Sequence, residues 1–149
     1  SCLVGSEMCI RDSTYFMLKL WWENKLYKVF KDAYNAGIIL SGVSAGAVCW
    51  FEWILSDSLG KDYKPIKGMN IISGSCTPHA SETNRMSKFE ANINNKIIPP
   101  GIAIDDGVAV LFLDGKPNTV CSSRKNRNAY FVNKNNRIIL NDHIKKKNE

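Results

Sequence analysis

The sequence predicts an α/β fold in which a mostly parallel β-sheet is flanked by helices. Residues 14–36 carry apolar side chains at three-to-four spacing, residues 38–43 form a short apolar run, and residues 45–55 again follow a helical pattern. A helix, a buried strand and a second helix in this order are typical of a parallel sheet. The length of 149 residues fits one domain, because domains usually contain about 100–200 residues.

The first predicted helix spans residues 14–36. Phe16 and Leu20 begin its apolar face, Lys and Glu side chains lie between the apolar positions, and Gly37 follows as a helix-terminating residue. The next six residues, 38–43, are mostly apolar, which favours a strand buried on both faces of the sheet.

The later elements are shorter and end in an antiparallel set. We predict a strand over residues 69–73 and a helix over residues 81–94, with Ser81 as its N-cap. Asp114 and Gly115 are typical of a hairpin turn between two strands. The other predicted strands cover residues 102–104, 108–112, 119–121, 129–132 and 137–140.

The two ends of the chain differ from the middle. Residues 1–13 show neither a helical nor a strand period, and they lack the basic-then-apolar order of a signal peptide. The letters SEMCIRDS within them resemble a translated sequencing adapter, so we expect a leader that is non-native or disordered. Residues 141–149 include three consecutive lysines and are expected to form a basic, solvated tail.

Composition argues against several classes of protein. No apolar run reaches the roughly 18 residues that span a bilayer, so we expect no membrane partner. The net charge of +6 is concentrated among asparagines near the C-terminus, without the interleaved aromatics of a nucleic-acid surface, so we expect no nucleic-acid partner. Five irregularly spaced cysteines form neither a disulfide framework nor a CxxC metal site, and Cys49 and Cys76 are expected in the core. A reducing, cytoplasmic location fits this cysteine usage.

The sharpest local feature is Gly42-Val43-Ser44-Ala45-Gly46, between the predicted strand and the second predicted helix. A strand that turns directly into a helix presents the turn residue at the sheet edge, and glycines on both sides are expected because a Cβ would collide with neighbouring backbone. The Ser44 hydroxyl would then lie at a helix N-terminus, and the amide of Ala45 would supply one oxyanion donor. The alternative is a tight strand–helix turn that only needs a small residue.

A nucleophilic serine needs a base, and the chain has two histidines. His143 lies in the basic tail, whereas His79 follows a predicted strand, where open α/β sheets carry their ligand chemistry. Asp105 and Asp106 are candidates for the carboxylate that orients the base. The alternatives are a buried structural histidine and two ordinary turn aspartates. The order Ser, His, Asp differs from the order Ser, Asp, His of the α/β-hydrolases.

These residues resemble those of a known family. The segment SGVSAGA at residues 41–47, followed by CWFE at 49–52, is similar to the nucleophile segment of the peptidase E-like proteins, the aspartyl dipeptidase and cyanophycinase group of serine peptidases. Four further segments agree in order: residues 15–37, residues 56–58, residues 76–79 with Arg85 and Phe89, and residues 101–109. The resemblance covers most of residues 14–132.

The resemblance implies a flavodoxin-like sheet related to the class I glutamine amidotransferases, and a Ser-His-Asp acyl-enzyme mechanism. It implies Ser44 as nucleophile and His79 as base, and it ranks Asp106 ahead of Asp57 as the acidic residue. Arg85 would bind an acidic substrate carboxylate, since a guanidinium pairs with carboxylates in a bidentate manner; its alternative is an arginine on a helix surface. The implied substrates are small peptides, above all dipeptides with an N-terminal aspartate. No metal or organic cofactor is implied.

The chain departs from the family pattern just before residue 14. Family members carry a glycine-rich loop there that supplies the second oxyanion donor, and residues 9–13 stand in its place. Loss of one oxyanion donor typically lowers the rate about 10²–10³-fold. We therefore expect residues 14–140 to form a partial catalytic domain, incomplete at its N-terminus, and a chain that is weakly active or inactive.

Two alternative functions follow from the same residues. One is a non-catalytic or inactive truncated member of the amidotransferase-like superfamily. The other is a cysteine-nucleophile amidotransferase, which does not fit because Cys49 lies more than one turn beyond Ser44. The sequence predicts neither the exact substrate nor the oligomeric state.

Overall fold

The computed structural model describes residues 13–60 and 62–140. The expected leader, apart from Ser13, and the expected basic tail with His143 lie outside these residues. A mixed sheet with flanking helices forms within the described ranges, which confirms the predicted α/β class.

Four helices and eight strands lie in the described ranges. The helices are α1 (Thr14–Glu23), α2 (Leu26–Asn35), α3 (Ala45–Val48) and α4 (Arg85–Asn94). The strands are β1 (Phe51–Ser56), β2 (Lys64–Lys67), β3 (Ile72–Thr77), β4 (Gly101–Ile104), β5 (Val108–Leu113), β6 (Lys116–Ser122), β7 (Ala129–Asn133) and β8 (Asn136–Ile139). None of these helices has the length and apolar character needed to cross a bilayer.

Six strands form the main sheet in the order β2-β1-β3-β4-β7-β8. The three strands β1, β3 and β4 are parallel, β2 and β7 pair with β1 and β4 in antiparallel orientation, and β8 pairs antiparallel with β7. In the pairing of β3 with β4, Thr77 lies opposite Ala103. The carboxyl ends of these two strands therefore lie side by side, and the loops that leave them start at the same edge of the sheet.

Strands β5 and β6 form a separate two-stranded sheet. Their connection contains Asp114 and Gly115, which have φ values of 50° and 72°. Two consecutive residues with positive φ are the mark of the tight hairpin turns that Asp-Gly favours. The predicted hairpin is therefore confirmed.

The core lies on both faces of the main sheet. One cluster packs α1 against β1 through Met17, Leu18 and Ile54. A second cluster packs α4 against the sheet and includes Leu55 and Phe89. Because Ile54 and Leu55 are consecutive strand residues, they point to opposite faces, and each face has its own helix.

The single predicted helix over residues 14–36 is wrong at its centre, where α1 ends and α2 begins. Ser13 caps α1 by accepting a hydrogen bond from the amide of Phe16 (3.2 Å). The helix ends where the Asn24 side-chain amide donates to a carbonyl of the last turn (2.8 Å) and Lys25 adopts a φ of 56°. A side-chain amide that competes for helix carbonyls is a known helix breaker.

The predicted buried strand over residues 38–43 is wrong as well. These residues lie outside regular secondary structure, and Ile39 and Val43 are 85% and 87% exposed. A strand is stabilised by hydrogen bonds to a neighbouring strand. Within residues 13–60 and 62–140, no strand pairs with this segment.

The predicted helix over residues 45–55 is correct only for its first turn, α3. Strand β1 begins at Phe51, because β2 and β3 hydrogen bond to its two sides and its apolar side chains enter both core clusters. Periodicity alone does not separate a short apolar helix from a buried strand.

One strand and one helix have bounds that differ from the predicted ones. The strand predicted over residues 69–73 is β3, which starts at Ile72 and continues to Thr77. The helix predicted from Ser81 starts at Arg85, with Asn84 rather than Ser81 as its N-cap. Together, the two shifts move the connection that carries His79 from residues 74–80 to residues 78–84.

Candidate active site

Ser44 lies immediately before α3, at a sharp turn of the backbone. Its φ of 52° and ψ of −116° are unusual for a residue with a side chain, and its hydroxyl makes no capping bond to the helix. The hydroxyl oxygen instead lies 2.8 Å from Nε2 of His79. A strained turn that aims a serine hydroxyl at an imidazole is the arrangement expected of a nucleophile elbow.

The two glycines that flank Ser44 have different surroundings. A Cβ built on Gly42 would lie 2.2 Å from the carbonyl oxygen of Gly46, so only glycine fits there. Apart from its chain neighbours and the backbone of its own helix, a Cβ built on Gly46 would have no heavy atom of the described residues within 4 Å. The expectation that both glycines prevent a backbone collision is therefore correct for Gly42 and wrong for Gly46.

His79 lies in the loop that follows β3. Its φ of 51° is left-handed, and its carbonyl accepts a hydrogen bond from the amide of Glu82 (2.9 Å). The next amide, that of Ala80, donates to the carbonyl of Ile104 at the end of β4 (3.0 Å). The loop is thus fixed to the neighbouring parallel strand, and the imidazole projects toward Ser44.

Asp106 follows β4 and accepts a hydrogen bond from Nδ1 of His79. Because an ionised carboxylate only accepts hydrogen bonds, this contact places the proton of a neutral imidazole on Nδ1. Nε2 is then free to accept the hydroxyl hydrogen of Ser44. The side chains of His79 and Asp106 are 33% and 38% exposed, so the pair is open to solvent on one side.

Asp105 points elsewhere and has a different environment. It is buried, and its carboxylate accepts hydrogen bonds from the Asn128 amide (3.0 Å) and the Tyr130 hydroxyl (3.2 Å). These contacts join the end of β4 to β7. Of the two neighbouring aspartates, Asp106 lies against the histidine and Asp105 supports the sheet.

The amide of Ala45 has no hydrogen-bond acceptor within the described residues, whereas the amide of Gly46 donates to the Val43 carbonyl (3.0 Å). The first amides of a helix have no partner inside the helix and carry its positive end. The Ala45 amide is therefore available to an oxygen that develops negative charge beside Ser44.

A cavity of about 260 Å³ opens at these side chains. Ser44 and His79 lie at its wall, together with three charged residues, Asp57, Glu82 and Arg85. Thr14, Ser56 and Ser58 add hydroxyl groups to the lining. The candidate site therefore combines a serine, an imidazole and an ionic cluster in one concave space.

Arg85, predicted to bind a substrate carboxylate, is 4% exposed although it is the first residue of α4. Its guanidinium forms ion pairs with Glu82 (2.9 Å) and Asp57 (3.4 Å) and donates to the Pro78 carbonyl (3.2 Å). The alternative of an arginine on the helix surface is excluded by this burial. The substrate role of Arg85 stays a prediction.

Asp57, the second choice for the acidic residue of the site, lies in the connection after β1. Its side chain is 59% exposed and its ionic contact is with Arg85. The hydrogen bond at Nδ1 of His79 goes to Asp106. The geometry therefore brings Asp106, and not Asp57, against the imidazole, and the catalytic role of either carboxylate stays a prediction.

Sequence reasoning missed Glu82 and Tyr63 as members of the ionic cluster. Glu82 precedes Arg85 by three residues, a spacing at which opposite charges pair on a helical turn. This spacing in the sequence therefore indicates a pair between Glu82 and Arg85. Tyr63, whose ring lies 4.5 Å from the Arg85 guanidinium, gave no local signal because it is distant in sequence.

Two buried cysteines, Cys49 and Cys76, take no part in the hydrogen bonds that join Ser44, His79 and Asp106. Cys49 and Cys76 are fully buried, as predicted; burial raises the pKa of the Cys49 thiol to about 12 and also raises the pKa of Cys76. Neither thiol is suited to act as a nucleophile near neutral pH. Within residues 13–60 and 62–140, no three His, Cys, Asp or Glu side chains group closely enough to hold a metal ion.

Comparison with known proteins gives two matches. Residues 13–120 match the profile of Peptidase family S51. The chain is also 36% identical over 121 residues to a protein of Bacillus subtilis (strain 168) named uncharacterized peptidase YgaJ. That alignment covers 80% of this chain and 52% of the relative, so the chain spans about half the length of the curated relative that it matches. No solved structure matches the chain significantly. Since the family profile covers most of the described residues, the chain belongs to Peptidase family S51.

Proposed function

We propose that the chain carries the catalytic residues of a serine peptidase, with Ser44 as nucleophile, His79 as general base and Asp106 as the carboxylate that orients the base. One observation carries the proposal: a continuous line of hydrogen bonds runs from the Ser44 hydroxyl through both nitrogens of His79 to Asp106. Membership of a peptidase family supports the same chemistry.

The proposed reaction is acyl transfer in two stages. Ser44 Oγ attacks the carbonyl carbon of the scissile amide while its proton passes to Nε2 of His79. The imidazolium formed is stabilised by Asp106 and then protonates the departing amine, which leaves an acyl ester on Ser44. Water, activated by His79, hydrolyses that ester and restores the free serine. These steps need no metal or organic cofactor.

The Ala45 amide is proposed as one oxyanion donor. It adjoins Ser44, it begins helix α3, and no carbonyl of the described residues occupies it. A donor aimed at the developing negative charge lowers the barrier more than it stabilises the bound substrate. Removing one such donor typically costs about 10²–10³ in kcat.

The proposed substrates are small peptides, and dipeptides with an N-terminal aspartate are the finer proposal. A cavity of about 260 Å³ suits a short peptide better than a folded protein chain. The preference for aspartate is based on the resemblance of the nucleophile, histidine and arginine segments to peptidase E-like proteins. Localisation in the cytoplasm remains part of this proposal.

The test uses the chain with an aspartyl anilide and, in parallel, with a fluorophosphonate that reacts with activated serines. Because the chain is expected to be weakly active, we expect slow anilide release together with a phosphonate adduct on Ser44, and both should disappear in Ser44→Ala. Ser87→Ala is the matched control, because Ser87 is an exposed serine of α4. Among the described residues, its hydroxyl bonds only to the Asn84 carbonyl (3.0 Å).

The two measurements separate the parts of the proposal. A Ser44 adduct together with hydrolysis of other anilides, but not the aspartyl one, would keep the serine peptidase and reject the aspartate preference. A folded chain with neither an adduct nor turnover would reject the proposal in favour of a non-catalytic member of the family.

A further inference from the structure

Arg85 is the most heavily engaged charged side chain at the candidate site. It is 4% exposed, and its guanidinium contacts groups from two separate connections of the chain. From the connection between β3 and α4 come the Pro78 carbonyl (3.2 Å) and the Glu82 carboxylate (2.9 Å). From the connection after β1 come the Asp57 carboxylate (3.4 Å) and the ring of Tyr63 (4.5 Å).

The contacts from the first connection surround the proposed base. Pro78 precedes His79 directly, and Glu82 both pairs with Arg85 and donates its amide to the His79 carbonyl (2.9 Å). The guanidinium therefore binds the loop on each side of the histidine. This matters because His79 has a left-handed φ of 51°, a conformation that costs free energy and persists only where its surroundings hold it.

The same contacts leave the guanidinium little capacity for a substrate. One terminal nitrogen donates to the Pro78 carbonyl, and the other lies between the carboxylates of Glu82 and Asp57. The remaining nitrogen, Nε, is buried without a hydrogen-bond partner in the described residues, so solvent does not reach it. A substrate carboxylate would have to displace Glu82 or Asp57 to form the usual bidentate pair.

We propose that Arg85 is a positioning residue, which holds the loop of His79 in its active geometry, and that it is not the receptor for an acidic substrate side chain. The proposal rests on the serine peptidase function proposed above. It also implies that any preference for aspartate is determined by groups other than this guanidinium.

The experiment compares Arg85→Met and Arg85→Lys with Arg137→Met. Arg137 is a matched control, because it also pairs with a glutamate, Glu90 (3.3 Å), and also lies over a tyrosine ring, that of Tyr130 (5.4 Å). Each variant is assayed with an aspartyl anilide and with the uncharged, nearly isosteric asparaginyl anilide. The ring ¹⁵N shifts of His79 are recorded by NMR, since the chain has two histidines and His143→Gln identifies the other.

For Arg85→Met we expect kcat to fall about 10–100-fold on both substrates, since a misplaced base costs orders of magnitude. The ratio of kcat/KM between the two substrates should stay within about 3-fold of the wild-type ratio, since the lost contact does not touch the substrate side chain. The His79 shifts should change from the Nδ1–H tautomer toward a mixture. Arg85→Lys should recover only part of the rate, because an ammonium lacks the planar fork.

Two results would overturn the proposal. One is a loss of at least about 10²-fold on the aspartyl substrate alone, with unchanged His79 shifts, which is the behaviour of a residue that binds the substrate carboxylate. The other is wild-type kcat and wild-type shifts in Arg85→Met. Absence of Ser44-dependent turnover in the wild type would reject the proposed function, and the NMR comparison would still decide the role of Arg85. If Arg85→Met does not fold, the kinetics on both substrates and the His79 shifts of Arg85→Lys decide the role of Arg85.

Discussion

Replacing Gly42 with alanine perturbs the turn at Ser44 through the backbone alone. The added Cβ would lie 2.2 Å from the carbonyl oxygen of Gly46, 2.4 Å from its carbonyl carbon and 3.0 Å from its Cα. Non-bonded heavy atoms separate by about 3.5–4.0 Å at their optimum, so the nearest atom is more than about 1 Å too close. All three atoms are backbone, and no side-chain rotation relieves the contact.

The turn must therefore shift by roughly 1 Å, and Ser44 lies between the two colliding residues. We expect kcat/KM to fall about 10²-fold, because a displacement of this size at a reacting group has that cost. Overpacking of this kind should also lower the free energy of unfolding by about 1–3 kcal/mol. The rate is measured by anilide hydrolysis and by phosphonate labelling of Ser44, and the stability by urea denaturation.

Gly46→Ala is the matched control within the same motif. Apart from its chain neighbours and the backbone of its own helix, no heavy atom of the described residues lies within 4 Å of its built Cβ. Alanine in a helix is also about 1 kcal/mol more favourable than glycine. We expect rate and stability close to those of the wild type. Equal damage from the two substitutions, or full activity of Gly42→Ala, would refute the reasoning.

Three further predictions concern the carboxylates, the core and the thiols. Asp106→Asn should lower kcat about 10³–10⁴-fold, because it removes the acceptor that fixes the histidine tautomer. Asp105→Asn should mainly lower the free energy of unfolding, by about 1–3 kcal/mol. Similar kinetics of the two variants would contradict the assignment of Asp106 to the histidine and of Asp105 to the sheet. Phe89→Ala should lower the free energy of unfolding, measured by urea denaturation, by about 3–5 kcal/mol, because the ring is fully buried between α4 and the sheet. A loss below about 1 kcal/mol would contradict this packing. Iodoacetamide at pH 8 should modify exposed Cys121 and spare Cys49 in the folded chain. The reason is that the Cys49 thiol, with a pKa of about 12, is ionised to about one part in 10⁴ at this pH. Equal labelling of the two cysteines by mass spectrometry would disprove the burial of Cys49.

The positions of the candidate residues could be predicted because short motifs locate them without the rest of the fold. Glycine at 42 marks a turn too tight for a Cβ, and the structure contains that contact. His79 could be selected from the sequence because the chain has two histidines and His79 is the one that follows a predicted strand. The choice of Asp106 over Asp105 came from the family resemblance, and the structure separates them by their partners, an imidazole for one and β7 for the other. Their catalytic roles stay predictions.

The environment of Arg85 could not be predicted from the sequence. Its burial depends on Asp57 and Tyr63, which lie more than twenty residues away in sequence and come close to it because β1 and β3 pair. A charged residue at a helix start is usually exposed, because an unpaired buried charge is very unfavourable. Only the folded chain brings the carboxylates that make burial possible.

All but one of the errors in the fold prediction lie next to the candidate site, the exception being the break at Lys25 in the helix predicted over residues 14–36. There is a physical reason for this. The wrong or shifted elements, over residues 38–43, 45–55, 69–73 and 81–94, directly flank Ser44 or the loop of His79. Both residues have positive φ, 52° and 51°, which neither a helix nor a strand contains. Periodicity and propensity assume regular backbone, so they give no signal for these two turns, and the bounds of the elements beside them are predicted poorly. Positive φ at these two non-glycine residues thus links the failure of the local prediction to the chemistry proposed for the site, since strained backbone persists where surrounding contacts hold it, and at His79 these contacts include those of Arg85.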